Sequence, residues 1–144
     1  MSQTICITAD AVVFAKLKDE KHVLLIQRKN QPFQGKWALP GGFVDAGESV
    51  KKSCQRELKE ETGLNLYADQ LEFCGFYDDI NRDPRSRIIA FAYKAQLDVI
   101  VDVKGKDDAL DAKWFDTKKL PPLAFDHFKI LENALNTNHK TNNL

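Results

Sequence analysis

Glu57, Glu60 and Glu61 crowd one short stretch, "RELKEETGL", and Glu48 precedes it in "DAGESV". Carboxylates three or four residues apart on a helix repel, at a cost of about 0.2–0.5 kcal/mol per pair. At roughly 100° per residue, Val50, Cys54 and Leu58 form an apolar stripe, and the three acids fall beside it. Lys51, Lys52, Gln55 and Lys59 lie on the other side, toward solvent. Acids at the edge of a core repel in a medium of lowered dielectric, so the cost rises. A divalent cation reverses its sign. Several carboxylates with positions left for water and phosphate oxygens describe how Mg²⁺ is held. The competing reading is an ordinary solvated helix laced with charge. The preceding "LPGGFVDAGE", whose glycines allow the backbone close to a ligand, favours the metal.

The acids need a frame. "TICITADAVVFAK" and "HVLLIQRK" are rich in β-branched and aliphatic residues and read as strands, with the polar "KLKDEKH" as the turn between them. "NQPFQGKWALPGG" reads as a loop with a short strand near Trp37 to Leu39. Residues 49–62 read as a helix that stops at Gly63, where a left-handed residue commonly ends a helix. "LEFCGFYDD", "RIIAFAYKAQL" and "DAKWFD" are further strands, with "INRDPRS" a polar loop. "AFDHFKILENAL" carries apolar residues at helical spacing after Pro121 and Pro122. The expected fold is α/β, a mixed sheet between helices, in one domain over residues 1–136 with a flexible tail over 137–144.

Bulk properties narrow the partners. Lysine plus arginine and aspartate plus glutamate balance at 21 each among 144 residues, which gives no electrostatic pull toward nucleic acid or an acidic membrane. No apolar run approaches the roughly 20 residues of a membrane span, and the N-terminus lacks the pattern of a secretory signal. Cys6, Cys54 and Cys74 are odd in number and scattered, against a disulfide framework or a paired-cysteine metal site. A cytoplasmic enzyme or binding domain is expected.

Residues 42–64 resemble the signature of Nudix hydrolases, G-x5-E-x7-R-E-U-x-E-E-x-G-U with U aliphatic. Gly42, Glu48, Arg56, Glu57, Leu58, Glu60, Glu61, Gly63 and Leu64 fill its fixed positions. The resemblance implies an α/β/α sandwich that hydrolyses a nucleoside diphosphate linked to another group, with Mg²⁺, or Mn²⁺ in its place, held against the diphosphate. It makes Glu57 and Glu61 the principal metal ligands, Glu60 a further one and the Gly41 carbonyl an additional one. Glu48 supports the loop or takes a second metal, and Arg56 orients the cluster. The general base stays open between a signature glutamate and a later acid, Asp107 or Asp108.

Outside the signature, "LLIQRKNQPFQGKWALPGGFVDAGES", "NRDPRSRIIAFAYKA" and "LPPLAFDH" resemble the ADP-ribose pyrophosphatase branch. Arg28, Arg82 and Arg85 are candidates for phosphate or ribose oxygens, since a guanidinium presents several donors in one plane. Phe33, Trp37 and Tyr77 are candidates to stack on a purine. Each has a structural alternative: a solvated strand end for Arg28, a turn for Arg82 to Arg85, packing for the aromatics. Asp126 reads as a helix cap beside His127. The favoured reaction is ADP-ribose to AMP and ribose 5-phosphate. The alternatives are a nucleoside triphosphate pyrophosphohydrolase acting on 8-oxo-dGTP and the like, and a non-catalytic nucleotide sensor. A homodimer is left open.

Overall fold

The computed structural model describes residues 1–137. Among these residues seven strands and two α-helices follow one another as β1 (Cys6–Leu17), β2 (Glu20–Arg28), β3 (Trp37–Ala38), β4 (Gly41–Phe43), α1 (Val50–Thr62), β5 (Glu72–Tyr77), β6 (Ile88–Gln96), β7 (Ala109–Asp116) and α2 (His127–Asn136), with a short 3-10 turn at Ala68–Gln70. The mixed sheet expected from sequence is present, with order β3-β2-β1-β6-β5, β4 attached to β1 and β7 to β2. Among the pairings between the described strands, β1–β6 alone is parallel, running from Cys6 opposite Ile88 to Phe14 opposite Gln96. Of the tail expected over 137–144, all but Thr137 lies outside the described residues.

Alternation along the two central strands assigns the layers. Ala9, Ala11 and Val13 of β1 and Leu24 and Ile26 of β2 pack with Cys54 and Leu58 of α1. Val12 and Phe14 with Val23 and Leu25 face the other way, onto Ile130, Leu131 and Ala134 of α2. Successive strand residues point to opposite faces, so two strands with apolar residues on both faces must be covered on both sides. That requirement makes the fold a three-layer sandwich.

Two local details differ from the sequence reading. The turn expected over "KLKDEKH" contracts to Lys18 and Asp19, both at positive φ (52° and 67°), and the strands pair on either side of it up to Leu17 opposite Glu20. A two-residue hairpin loop with both central residues left-handed matches the twist of its strands. The segment expected to be loop also holds β4, three residues long, which pairs with Thr8 to Asp10. Along one edge, then, β1 pairs with β4 near its start and with β2 near its end. The two neighbours part from each other there, and a cavity occupies the opening.

Helix α1 has the ends its sequence requires. The Ser49 hydroxyl accepts from the Lys52 amide at 3.2 Å, and Gly63 at φ 81° returns its N–H to the Lys59 carbonyl. A serine cap and a left-handed glycine satisfy terminal backbone groups that water or nothing would otherwise meet.

Candidate functional site

The cavity measures ≈ 320 Å³ and is lined from both ends of the chain: Thr8 and Asp10 of β1, Arg28 of β2, Gly41 to Phe43 of β4, Glu57 and Glu61 of α1, Arg82 to Arg85 save Pro84, Asp108, Phe125 and His127. Acids and arginines thus share one concave surface.

The four signature acids are split. Glu61 is buried at 4% exposure and accepts from the Gly41 amide at 2.9 Å. Burial pushes its carboxyl up to about 8, and the charges of Glu57, Asp108 and Asp10 add to the push while the Gly41 amide opposes it. Glu57 is also raised, first by burial, with Arg56 pulling the other way. Glu60 does not sit at the edge of the core as its helical angle suggested. It is exposed and pairs with Arg56 at 3.1 Å, one turn away. Glu48 faces away from the cavity, gripped by Arg56 at 2.7 and 3.0 Å, and that hydrogen bonding holds its carboxyl down to about 2. Arg56 therefore organises the cluster, adding contacts to Glu57, Asp45 and the Phe43 carbonyl.

Gly41 and Gly42 are required for close approach rather than for unusual φ. A Cβ on Gly42 would run into the Glu57 carboxylate, and one on Gly41 into Asp10. The backbone is thus pressed against the acids at the point where the sequence expects a carbonyl ligand. Among the described residues no three carboxylate, imidazole or thiol side chains stand together at metal-ligand spacing. The donors at hand are two carboxylates, Glu57 and Glu61, beside the β4 backbone. All are hard oxygens, suited to Mg²⁺ or Mn²⁺ and not to soft metals. Arg56 meets the Glu57 carboxylate at 3.2 Å, while Glu61 has no ion pair among the described residues, so a divalent ion fits the donor set.

Other candidates fall on both sides of the line. Asp108 lines the cavity with its carboxylate 3.4 Å from the Asn30 amide, whereas Asp107, at φ 52°, points elsewhere. Arg28 and Arg85 line it too, Arg28 giving its Nε to the Pro32 carbonyl at 2.7 Å and Arg85 bonding Asp83 at 2.8 and 3.0 Å. Burial alone would raise Asp83, but the Arg85 bonds hold it below the usual range. Arg82 reaches the cavity, yet its side chain is 3% exposed and its guanidinium is spent on Asp126 at 2.6 and 2.9 Å.

The aromatics largely turn away. Trp37 packs edge-on against Phe115 at 4.8 Å in the α2-side core, and Tyr77 is buried there with its hydroxyl taken by the Asn133 amide at 3.0 Å. Neither is placed to stack on a purine. Phe33 stands at the rim, against Phe125. Asp126 holds the N-cap position expected of it, but no side-chain cap bond forms, because the carboxylate is committed to Arg82.

The sequence reading passed over Asp10, Asp83 and Phe125. Asp10 had a visible signal, a lone acid in an apolar strand. Its Oδ2 has no hydrogen-bond partner among the described residues, and burial pushes the carboxyl up to about 7. His127 Nε2 lies 3.7 Å away. The Leu39 amide donates to His127 Nδ1 at 3.0 Å, so the ring proton sits on Nε2 and faces Asp10. Burial holds the imidazole neutral, down to about 3.

These shifts give metal-free protein a definite pH dependence. Asp10 and Glu61 bind protons more tightly folded than unfolded, so their contribution is complete below the ordinary values of 3.8 and 4.5 and is lost as pH rises to about 7 and 8. His127 does the opposite. Its contribution is complete above 6.5 and is lost as pH falls toward about 3. Above pH 6.5, of these three groups only the two carboxyls still act. The melting temperature in chelator is expected to fall between pH 6.5 and 8.5, and Asp10→Asn to flatten that fall. A melting temperature that rises over this interval would contradict the burial-driven shifts.

Comparison with known proteins adds to this geometry. The NUDIX domain model matches residues 7–134. An ADP-ribose pyrophosphatase of Methanocaldococcus jannaschii is 50% identical over 119 residues, 82% of this chain and 68% of that one. The NUDIX domain of Shewanella oneidensis NrtR, solved with ADP ribose, superposes with a TM-score of 0.85 at 32% identity, covering 93% of this chain and 88% of that one. Full NrtR has been solved with a 27mer DNA, and this chain covers 59% of it. A bifunctional NMN adenylyltransferase/ADP ribose pyrophosphatase of Francisella tularensis, solved with AMP and a Mn ion, gives a TM-score of 0.82 at 30% identity, over 93% of this chain and 42% of that one. No described helix is long and apolar enough to cross a membrane.

Proposed function

The chain belongs to the Nudix family as a pyrophosphohydrolase, and from that premise we propose that it hydrolyses ADP-ribose to AMP and ribose 5-phosphate with Mg²⁺. The observation that carries this reading is the single cavity in which Glu57, Glu61 and the β4 backbone meet Arg28 and Arg85. A diphosphate is long, multiply charged and poorly electrophilic. It needs positive charge along its length, and the cavity supplies arginines at one part and a cation's donors at another.

In this proposal Glu57, Glu61 and the Gly41 carbonyl hold the ion. Glu60 and Glu48 are expected only as outer supports, since Arg56 occupies both. When bound, the ion offsets phosphate charge and lowers the pKa of bound water. Water adds to one phosphorus as the bond from that phosphorus to the bridging oxygen breaks. The displaced phosphate leaves on the other half of the substrate, and the proton of water passes to a base. Of the candidate bases, Glu57, Glu61 and Asp108 line the cavity, and Asp107 does not. Arg28 and Arg85 would steady the phosphate oxygens, and charge-assisted bonds from guanidinium to phosphate are among the stronger ones.

The closeness to the archaeal pyrophosphatase supports ADP-ribose over a nucleoside triphosphate. A sensor reading has the NrtR likeness behind it, but the signature acids and Gly42 are all present here. The test incubates the protein with Mg²⁺ and ADP-ribose, NADH, dNTPs and 8-oxo-dGTP, and identifies products. AMP and ribose 5-phosphate from ADP-ribose, at the highest kcat/KM of the set, is the expected result. Preferred release of pyrophosphate from a triphosphate, or binding of ADP-ribose with no product, would overturn the substrate.

A further inference from the structure

The cationic part of the cavity is assembled around one ring. The Arg28 guanidinium lies 5.0 Å from the Phe125 centroid and that of Arg85 5.2 Å, and Arg85 is also 4.8 Å from Phe43. Each contact is attractive, because a ring face is negative. Together they hold two like charges against one side chain, where they repel. Phe125 achieves this at φ 53°, just before α2, and Phe33, which meets it edge-on at 4.8 Å, has φ 60°. Left-handed backbone is disfavoured for bulky residues, and such strain concentrates where a side chain must be aimed. Among the described residues only Nε of Arg28 has an acceptor, the Pro32 carbonyl. Its Nη groups have none.

We propose that Phe125 is a positioning residue that strings Arg28 and Arg85 on one ring as a two-cation clamp for the diphosphate of the substrate. The inference rests on the diphosphate-hydrolase reading and adds to it a subsite. Anion binding to both guanidinium groups cancels their repulsion, so affinity depends on the ring that keeps them together. Arg85 also bonds Asp83 at 2.8 and 3.0 Å, but its side chain stays 34% exposed and open to an anion, whereas Arg82, 3% exposed and tied to Asp126, is not part of the clamp.

The test uses the full chain as wild type, Phe125→Leu, Phe125→Tyr and Arg28→Gln. Calorimetry in chelator measures binding of inorganic pyrophosphate at low and high salt, and kinetics with Mg²⁺ measure KM and kcat for ADP-ribose. Loss of two ring contacts predicts pyrophosphate binding about five- to tenfold weaker in Phe125→Leu, a matching rise in KM, and little change in kcat. Phe125→Tyr keeps the ring and restores both. Phe125→Leu and Arg28→Gln are expected to be non-additive, and the salt dependence of binding to shrink in each. Should Phe125→Leu not fold, a cycle of Arg28→Gln with Arg85→Gln reads the same coupling. Absent pyrophosphate binding by wild type, unchanged binding in Phe125→Leu, no rescue by Tyr, or additive cycles would each overturn the clamp. Failure to turn over ADP-ribose with the binding pattern intact would instead sink the substrate and leave the clamp.

Discussion

Glu61→Gln is expected to lower divalent-metal-dependent turnover by on the order of 10²–10³-fold, the range found when one preorganised charge-stabilising group is removed from an active site. The same change is expected to raise the melting temperature of the metal-free protein at pH 8.5. The opposite signs follow from one fact. Glu61 is buried beside Glu57 and Asp108, and its carboxyl is pushed up to about 8, so the ionised form strains the metal-free fold at that pH. Glutamine keeps an oxygen for the Gly41 amide, which now bonds Glu61 Oε1 at 2.9 Å, and removes the charge. Wild type is therefore expected to gain more melting temperature from added Mg²⁺ than the variant does. Measured turnover within tenfold of wild type would remove Glu61 from the metal site. A lower melting temperature of the variant in chelator at pH 8.5 would show that the carboxylate is stabilising as it stands, against the burial argument.

That pair of outcomes depends on features that differ in how far they can be read along the chain. Helix α1 is a local object: its cap, its apolar stripe and its glycine stop lie within 49–63, and the stripe and the stop expected from sequence recur in the structure. The angular position of Glu61 is equally local, and it marks a buried acid. Glu60 misleads because the angle ignores Arg56, which draws it out to solvent one turn along. Tyr77 and Trp37 mislead for another reason. An aromatic beside a loop looks available for a ligand until the second helix is placed, and α2 covers that face. The opposite wall of the cavity, from Asp10 through Asp83 to Phe125 and His127, comes from three separate regions of the chain. No periodicity links them. They meet only because β1 and β6 run in parallel and the start of α2 lies against the β3–β4 loop, where His127 accepts from Leu39.

Asp126 shows most sharply what pairing does to a residue's role, and it yields a second large effect. As a helix cap, Asp126→Ala would cost about 1 kcal/mol. In the structure its carboxylate instead takes two bonds from Arg82, whose side chain is 3% exposed and whose one other hydrogen bond among the described residues is a 3.4 Å contact to the Ile88 carbonyl, with Asp10 and Asp83 as more distant opposite charges. Removing Asp126 strands a buried cation, and breaking such a pair from one side costs about 3–5 kcal/mol. Arg82→Ala leaves an aspartate that is 18% exposed and can find water, so it is expected to cost less. The double variant should cost less than the sum, since neither charge is then left alone. Denaturant unfolding of the three variants measures this directly. A loss near 1 kcal/mol for Asp126→Ala, additive with Arg82→Ala, would return Asp126 to a capping role and free Arg82 for the substrate.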